Sequence, residues 1–374
     1  MDARDFVTLR DSVPNLAILD ISNALISSYT GTNGTNGAPN YVYKTNVLPT
    51  RAFYNPSTSM SKETLTAIKL PTSMAAIGDD SFYYCSGLTS IIIPPTATSI
   101  GEWAFYGCTG LPSITIPHSV TKIGSNAFVY CSALINVNEN NPNFASSEGV
   151  LFNKSKSKLI QCPISVYGNY DIPITVDSIG SKAFWYCKNI SSISIPLAVT
   201  VIDDYAFMAC NFSTIEIPES VVAIKNYAFY GCSNLMSIKT NNIVPIDLSS
   251  SIAVFYGVNK TSCTLNVPKG SKLIYQMAAQ WKDFENIVEK LSTNITSIAD
   301  ASILPYPNPT KKHFQISGIE GKASVKLLDL NGKVLLTKQI AGNEYIQLNN
   351  IAPGMYILKI ITSNATFERK LIKK

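Results

Sequence analysis

The sequence predicts a two-part chain: a solenoid of about ten stacked coils, with parallel strands and short helical or 3₁₀ return segments, followed by a small antiparallel β-sandwich. Three observations predict it. Phe, Cys and Pro recur in one phase every 22 or 23 residues, alternating apolar tracts precede most of the prolines, and residues 304–374 change to hairpin patterning.

One unit runs from Pro94 through Ala97, Ile100, Gly101, Ala104, Phe105, Cys108, Leu111, Ile114 and Ile116, and the next begins at Pro117, 23 residues on. Phe holds this phase at 82, 105, 128, 184, 207 and 229, Cys at 85, 108, 131, 187, 210 and 232, and Pro at 71, 94, 117, 173, 196 and 218. Two departures stand out. The coil at Cys210, Asn211 and Phe212 lacks one residue, and about 40 residues intervene after Val137.

The Leu-x-x-Ile-x-Ile tract ends in the period-two alternation of a strand, and the following Pro, which cannot donate to a ladder, stops it. Val-x-x-Ile and Ala-Phe-x-x-Cys space apolar residues three and four apart, as a helical or 3₁₀ return would. No coil buries these residues alone. Stacking at about 4.8 Å superposes Phe on Phe and builds a sheet of about 45 Å along the stack.

The Ile-Gly-x-x-Ala-Phe-x-x-Cys-x-x-Leu-x-x-Ile-x-Ile-Pro units, over residues 48–267, resemble the BspA-like branch of the leucine-rich-repeat family. The resemblance implies a leucine-rich-repeat solenoid on a bacterial surface protein that binds host or partner proteins. Residues 138–170 resemble a hairpin inserted in this branch, with arms at 149–153 and 159–163.

The expected division is a cap and irregular first coil at 1–49, the solenoid at 50–290, a linker at 291–303 and the C-terminal module at 304–374. Residues 5–11 read as an amphipathic helix over a first strand at 16–21, and the Gly, Thr and Asn of 31–37 as a flexible surface loop. At the other end, residues 271–285 read as a capping helix with Leu273, Ile274, Met277, Ala278, Trp281 and Phe284 on one face.

In the C-terminal module, β-rich runs at 323–330 and 333–340 flank Asn331-Gly332, a pair suited to a type I′ turn. Further strands at 345–348, 355–360 and 367–372 complete an expected immunoglobulin-like sandwich. The module resembles the C-terminal sorting domain of the type IX secretion system. That resemblance rests on Tyr306, Pro307, Asn308 and Pro309, on the hairpin through Gly332, on Pro353, Gly354 and Tyr356, and on the terminal Lys373 and Lys374. It implies secretion to the outer cell surface through that machinery. The start at Met1 lacks the basic and apolar regions of an export signal, so a signal is expected upstream.

Composition narrows the function. With 46% apolar residues and a net charge of +5, no basic run marks a nucleic-acid face, and no apolar stretch is long enough to span a bilayer. The chain is expected to be a monomer without cofactor or metal. Its two histidines, His118 and His313, fall in different parts of the chain, and the Ile-Gly pairs lie in repeat turns rather than in a phosphate-binding loop. Asp79, Asp80, Asp203 and Asp204 recur at one turn position, as turn or N-cap residues or as a weak cation site. Six of the eight cysteines share one phase, and parallel side-chain vectors suit buried thiols better than disulfides. Cys162 and Cys263 fall outside that phase, which leaves a mutual bridge open.

Two rows are candidate binding surfaces. The first is the outward row of the sheet, Lys69, Ile92, Thr115, Ser194, Glu216 and Lys239, a long flat face for docking an extracellular-matrix, host or neighbouring surface protein. The second follows the ladder Phe, with Tyr54, Tyr83, Tyr106, Val129, Trp185, Met208 and Tyr230, where rings either anchor a partner or lean on adjacent coils. The favoured reading is a non-enzymatic, adhesin-like surface protein. The alternative is a carbohydrate-binding or degradative protein using Tyr83, Tyr106, Trp185 and Tyr230.

Overall fold

The computed structural model describes residues 1–290, 305–306, 308, 310–316, 319, 321–329, 333–342, 344–362 and 366–374. Strands along the front of the solenoid pair in parallel: Ile18–Asp20, Ala67–Lys69 and Ser90–Ile91; Ser113–Ile116 with Leu134–Val137; Gly168–Asp171 with Ile190–Ser194; and Thr214–Ile217 through Ser237–Thr240 and Thr264–Pro268 to Asn286–Lys290. After the front strands a Pro carbonyl accepts the N–H three residues on, as from Ala97 to Pro94 at 2.9 Å and from Val176 to Pro173 at 2.9 Å. Each coil is thus turned at a fixed point.

The return limb differs from the expected helical or 3₁₀ segment. Its first part is a second parallel sheet of two-residue strands, including Ala76–Ile77, Ser99–Ile100 and Lys122–Ile123, and later Ser178–Ile179, Val201–Ile202 and Ala223–Ile224. The Ala-Phe-x-x-Cys part is a run of turns with left-handed residues two before and two after the ladder Phe. Those before include Asp80, Trp103, Lys182, Tyr205 and Tyr227; those after include Tyr84, Gly107, Tyr130, Tyr186, Ala209 and Gly231. Such alternation aims every second peptide along the stack. Asp80, Phe82 and Tyr84 donate to Glu102, Ala104 and Tyr106 at 2.8, 2.8 and 2.7 Å, and Lys182, Phe184 and Tyr186 repeat the pattern at 2.9, 2.8 and 2.9 Å.

A left-handed L-residue costs about 1–2 kcal/mol. Three inter-coil hydrogen bonds at about 0.5–1.5 kcal/mol each, with about 1.5–3 kcal/mol for burying the Phe, offset two of them per coil. The buried rings stack as the period requires: Phe53 on Phe82 at 5.3 Å, Phe82 on Phe105 at 5.2 Å and Phe105 on Phe128 at 5.5 Å. A second run joins Phe184, Phe207, Phe229 and Phe255 at 5.2, 5.2 and 5.6 Å.

Between the two runs lies the insertion. It is an antiparallel set of Phe144–Ser147, Val150–Asn153 and Lys158–Gln161, so the two expected arms are preceded by one further strand. Lys158–Gln161 pairs in parallel with the return strand Ser178–Ile179, which puts the insertion in the place of a coil. The apolar core divides here, with Leu151 packed in the N-terminal cluster and Val150 and Phe152 in the C-terminal one. Cys162 is not outside the thiol ladder. Its carbonyl accepts from the Cys187 thiol at 3.5 Å, and all eight cysteines are free and buried, so a Cys162–Cys263 bridge is absent.

Helix Ala3–Asp11 caps the start, opened by a capping box between Asp2 and Asp5, with Phe6 edge-on to Phe53 at 6.0 Å. Lys62 occupies the Cys phase of the first coil, and its buried ammonium donates to the carbonyls of Arg10, at 3.0 Å, and Val13. The segment 31–37 is held rather than free: Thr35 is buried and donates to Thr50 O, and Asn36 N donates to the Tyr43 hydroxyl.

The expected capping helix at 271–285 is replaced by a four-residue helix, Lys272–Tyr275, and a 3₁₀ turn, Trp281–Asp283. Two polar handles explain this, because Tyr275 donates to Asn242 O at 2.8 Å and Trp281 to Ile246 O at 2.9 Å, while left-handed Gln280 breaks the helix between them. Tyr275, Trp281 and Phe284 face inward, and Leu273, Ile274 and Met277 are exposed.

The C-terminal residues form two antiparallel sheets, one of Pro305–Tyr306, His313–Ile316 and Ile346–Gln347, the other of Val334–Ala341, Lys322–Leu328, Gly354–Thr362 and Thr366–Lys373. Phe314, Val325, Leu327, Leu358 and Phe367 belong to their shared core. The turn at Asn331-Gly332 lies outside the described residues.

Replacing Phe105 or Phe207 with Ala should each lower unfolding free energy by about 3–5 kcal/mol, read from urea denaturation. Losses below about 1 kcal/mol would contradict the ring ladder as a source of stability.

Candidate functional surfaces

The outward row of the sheet is held in line by strand register. Asp20 lies beside Lys69, Thr115 beside Asn136, Asp171 beside Ser194, and Glu216 beside Lys239 and then Asn266. All six expected residues are exposed, and Ile92, just past its strand, is 81% exposed. Asp20, Asn136 and Asp171 share the exposed row and were legible only as further members of the same phase, while Asn266, in register with them, is buried and donates to Ser237 Oγ at 2.8 Å. Ion pairs sit towards its two ends, with Lys69 on Asp20 at 3.0 Å and Lys239 on Glu216 at 2.8 Å, and Asp171 adds an exposed carboxylate between them. The Asp20 carboxyl, which accepts from Ser22 and pairs with Lys69, is held down at about 2.

The aromatic residues form a band, not a set of separate rings. Tyr54 leans on Tyr83 at 4.6 Å and 45°, Tyr83 stacks on Tyr106 at 5.0 Å, Trp103 meets Tyr106 at 5.0 Å, and Tyr106 reaches Tyr130 at 6.3 Å. Past the insertion, Tyr130 meets Tyr186 at 5.3 Å, Trp185 meets Tyr205 at 5.5 Å, and Tyr230 stacks on Tyr256 at 5.0 Å. Val129 is buried and Met208 half-buried, so the row after the Phe is interrupted at both. Rings two residues before and after the Phe, which the sequence reading left out, carry the band onward. Lys182 sits over Trp103 at 4.5 Å and Trp185 at 5.4 Å, and partial burial lowers its ammonium pKa.

The paired carboxylates serve the backbone. Asp79 accepts from Glu102 N at 2.7 Å and Asp204 from Asn226 N at 2.9 Å, while Arg51 pairs with Asp80 at 3.4 Å and Lys225 with Asp203 at 3.0 Å. His118 and His313 are both exposed, the first in the solenoid and the second against Tyr345. Among the described residues, no group of three His, Cys, Asp or Glu could hold a metal ion, and no helix is long and apolar enough to cross a membrane.

The thiols point into the stack, Cys108 donating to Phe82 O at 3.2 Å, Cys210 to Phe184 O at 3.0 Å and Cys232 to Phe207 O at 3.0 Å. Burial pushes Cys131 and Cys232 up to about 12 and Cys263 to about 11.

In the C-terminal sheets the terminal residues are clasped by the segment around Asn308. Its side chain accepts from Ile372 N at 2.9 Å, Thr310 N donates to Ile372 O at 2.8 Å, and Lys374 N donates to Thr310 O at 2.8 Å. Tyr356 donates to Ala352 O at 2.6 Å, Lys373 to Ile351 O, and Gly354 begins a strand beside Lys373 while Pro353 is exposed. Tyr306 lies opposite Gln315; Pro307, Pro309 and Gly332 lie outside the described residues.

Residues 55–170 and 167–279 match the family described as BspA type Leucine rich repeat region, in six copies, and residues 305–374 match the Secretion system C-terminal sorting domain. No curated protein matches the chain. Among solved structures, a leucine-rich repeat protein from Eubacterium ventriosum is 27% identical over 55% of this chain, with a TM-score of 0.45; the chain covers 60% of that protein. The pneumococcal vaccine antigen PcpA is 16% identical over 75% of this chain and 91% of its own, with a TM-score of 0.44. A leucine-rich repeat protein from Bacteroides ovatus is 21% identical over 73% of this chain and 69% of its own, with a TM-score of 0.42.

At pH 8 the native chain should resist thiol alkylation, since all eight thiols are buried and those near 12, Cys131 and Cys232, are thiolate in roughly one molecule in ten thousand. Mass spectrometry should find all eight cysteines labelled only after unfolding. Rapid labelling of Cys131 or Cys232 in native buffer would contradict their burial.

Proposed function

Because the chain belongs to the BspA-type leucine-rich-repeat family and carries a secretion-system sorting domain, we propose that it is a non-enzymatic binding protein that docks a protein partner on its front sheet. The sorting domain marks it as secreted or displayed at the cell surface, and it engages the secretion machinery through residues 305–374. The partner is a matrix, host or neighbouring surface protein.

One observation carries the docking reading. Between its two ion pairs the outward row is mostly small, neutral and exposed, at Thr115, Asn136 and Ser194, with Ile92 standing clear beside it and the Asp171 carboxylate between Asn136 and Ser194. A long face of small polar side chains lets another protein approach closely, and an exposed Ile supplies an apolar anchor. Charges already paired at the two ends lose little on burial of the centre.

The saccharide reading of the aromatic row is less favoured because Tyr83 and Tyr106 stack on each other at 13° and Tyr230 on Tyr256 at 15°, which takes up ring faces a sugar would use. Against hydrolysis stands the role of the carboxylates. Glycosidic cleavage uses two carboxyl groups facing across a cleft, and here Asp79 and Asp204 accept from backbone N–H groups of the next coil.

The immobilised full chain, screened against purified extracellular-matrix proteins beside a glycan array, should retain at least one protein. Thr115→Arg combined with Ser194→Arg should weaken that binding by about tenfold or more while Tyr83→Ala leaves it unchanged. Glycan binding alone, lost in Tyr83→Ala, would contradict the reading. Cells producing the chain without residues 305–374 should accumulate it in the periplasm; undiminished surface display would contradict the assigned export role.

A further inference from the structure

A repeat stack in water ends in caps whose outer face is polar. Helix Ala3–Asp11 closes the first coil in this way, with Arg4, Asp5 and Thr8 outward, but the last coil does not follow the rule. Its four-residue helix, Lys272–Tyr275, leaves Leu273 75% and the nearby Met277 81% exposed, with Ile274 beside them. Ile243 and Val244, on the turn of the preceding coil, are exposed as well. Tyr275 donates to Asn242 O at 2.8 Å, which holds that turn against the helix. A groove of about 310 Å³, lined by Pro245, Ile246, Ile274 and Ala278, joins the two segments into one apolar patch.

The same end carries an open strand. Asn286–Lys290 pairs with Thr264–Pro268 on one side, and among the described residues its other edge has no backbone partner. An unpaired edge is a template for another strand. Edge and patch adjoin, because the Glu289 carboxylate accepts from Gly270 N and Lys272 N at 3.0 and 2.9 Å. At on the order of 100 Å² each, the aliphatic side chains of the patch and the exposed Val288 together present about 600 Å². That is as much as a typical monomer leaves bare, and most of what each partner of a specific complex buries, about 800 Å².

We infer that this end of the solenoid is a self-association surface, on which two copies of the chain join tail to tail about a two-fold axis in place of the expected monomer. Such an interface needs one surface that is complementary to itself. Antiparallel pairing of the two 286–290 strands, centred on Val288, sets Asn286 opposite Lys290 of the second copy and Ile287 opposite its Glu289. No like charges then face each other across the pair. The front sheet runs on from one copy into the other, and Leu273 and Met277 of each are covered. A lipid surface would also cover the aliphatic side chains, but it offers the strand edge no hydrogen-bond partner. Residues 92–194 of the front row lie apart from this end, and its pairing does not depend on what docks there.

The test is sedimentation equilibrium of the full chain from about 1 to about 100 μM, beside flotation with vesicles of phosphatidylethanolamine and phosphatidylglycerol. A reversible monomer–dimer equilibrium is expected, about tenfold or more weaker when Leu273→Glu is combined with Met277→Glu. Both side chains are exposed, so the circular dichroism spectrum of that variant should match the parent's. Val288→Cys reads the register. Residues opposite one another on antiparallel strands lie about 4.5–5.5 Å apart, within disulfide reach. With all eight native thiols buried, mild oxidation should link two copies through residue 288 alone. A chain that stays monomeric at about 100 μM, with or without capture by the vesicles, would overturn the assignment. So would a dimer equally tight in the double-Glu variant, or a Val288→Cys chain that does not cross-link.

Discussion

Every coil of this solenoid depends on peptide groups turned to point along the stack. Regular 3₁₀ or α structure in the Ala-Phe-x-x-Cys limb would satisfy its own N–H groups within a coil and leave that limb joined to the next coil only by side chains. Left-handed residues on either side of the ladder Phe instead hand three N–H groups to the next coil, as from Asp80, Phe82 and Tyr84. The same geometry turns the Phe ring and the small residue before it inward and brings side chains such as Tyr84, Trp103, Tyr130 and Tyr186 towards the surface. Buried ring ladder and half-buried aromatic band are two results of one backbone pattern.

That pattern also explains how the insertion is tolerated. The Phe runs stop at Phe128 and restart at Phe184, and the apolar core parts within Val150–Asn153. On the outside, Tyr130 meets Tyr186 at 5.3 Å and Lys182 reaches back over Trp103 at 4.5 Å. Cation–π contacts of this kind contribute about 0.5–2 kcal/mol. The aromatic band therefore joins two half-stacks whose cores are separate, a structural duty that competes with ligand binding for its ring faces.

The period was legible because stacking forces one residue type onto itself, so Phe, Cys and Pro announce the coil in any copy. The outward sheet row followed from the same phase. Backbone handedness was not legible, since Asp80, Trp103, Lys182 and Tyr227 share no chemistry that marks a left-handed position, and only Gly107 and Gly231 hint at it. The C-terminal cap misled because apolar residues at 273, 274, 277, 278, 281 and 284 imitate a helical face, while the anchoring bonds of Tyr275 and Trp281 carry no periodic signal. Cys162 fell out of phase because the insertion reaches its coil position by a different chain length.

If like residues piled coil on coil hold the molecule together, whole coils are interchangeable and fractions of a coil are not. Thermal unfolding of two deletions decides this directly. Removing residues 94–116 brings Pro117 to the place of Pro94, and the account predicts a cooperative transition only moderately below that of the intact chain. Removing residues 94–105 breaks the phase and should abolish cooperative unfolding. Two deletions that melt alike would contradict it.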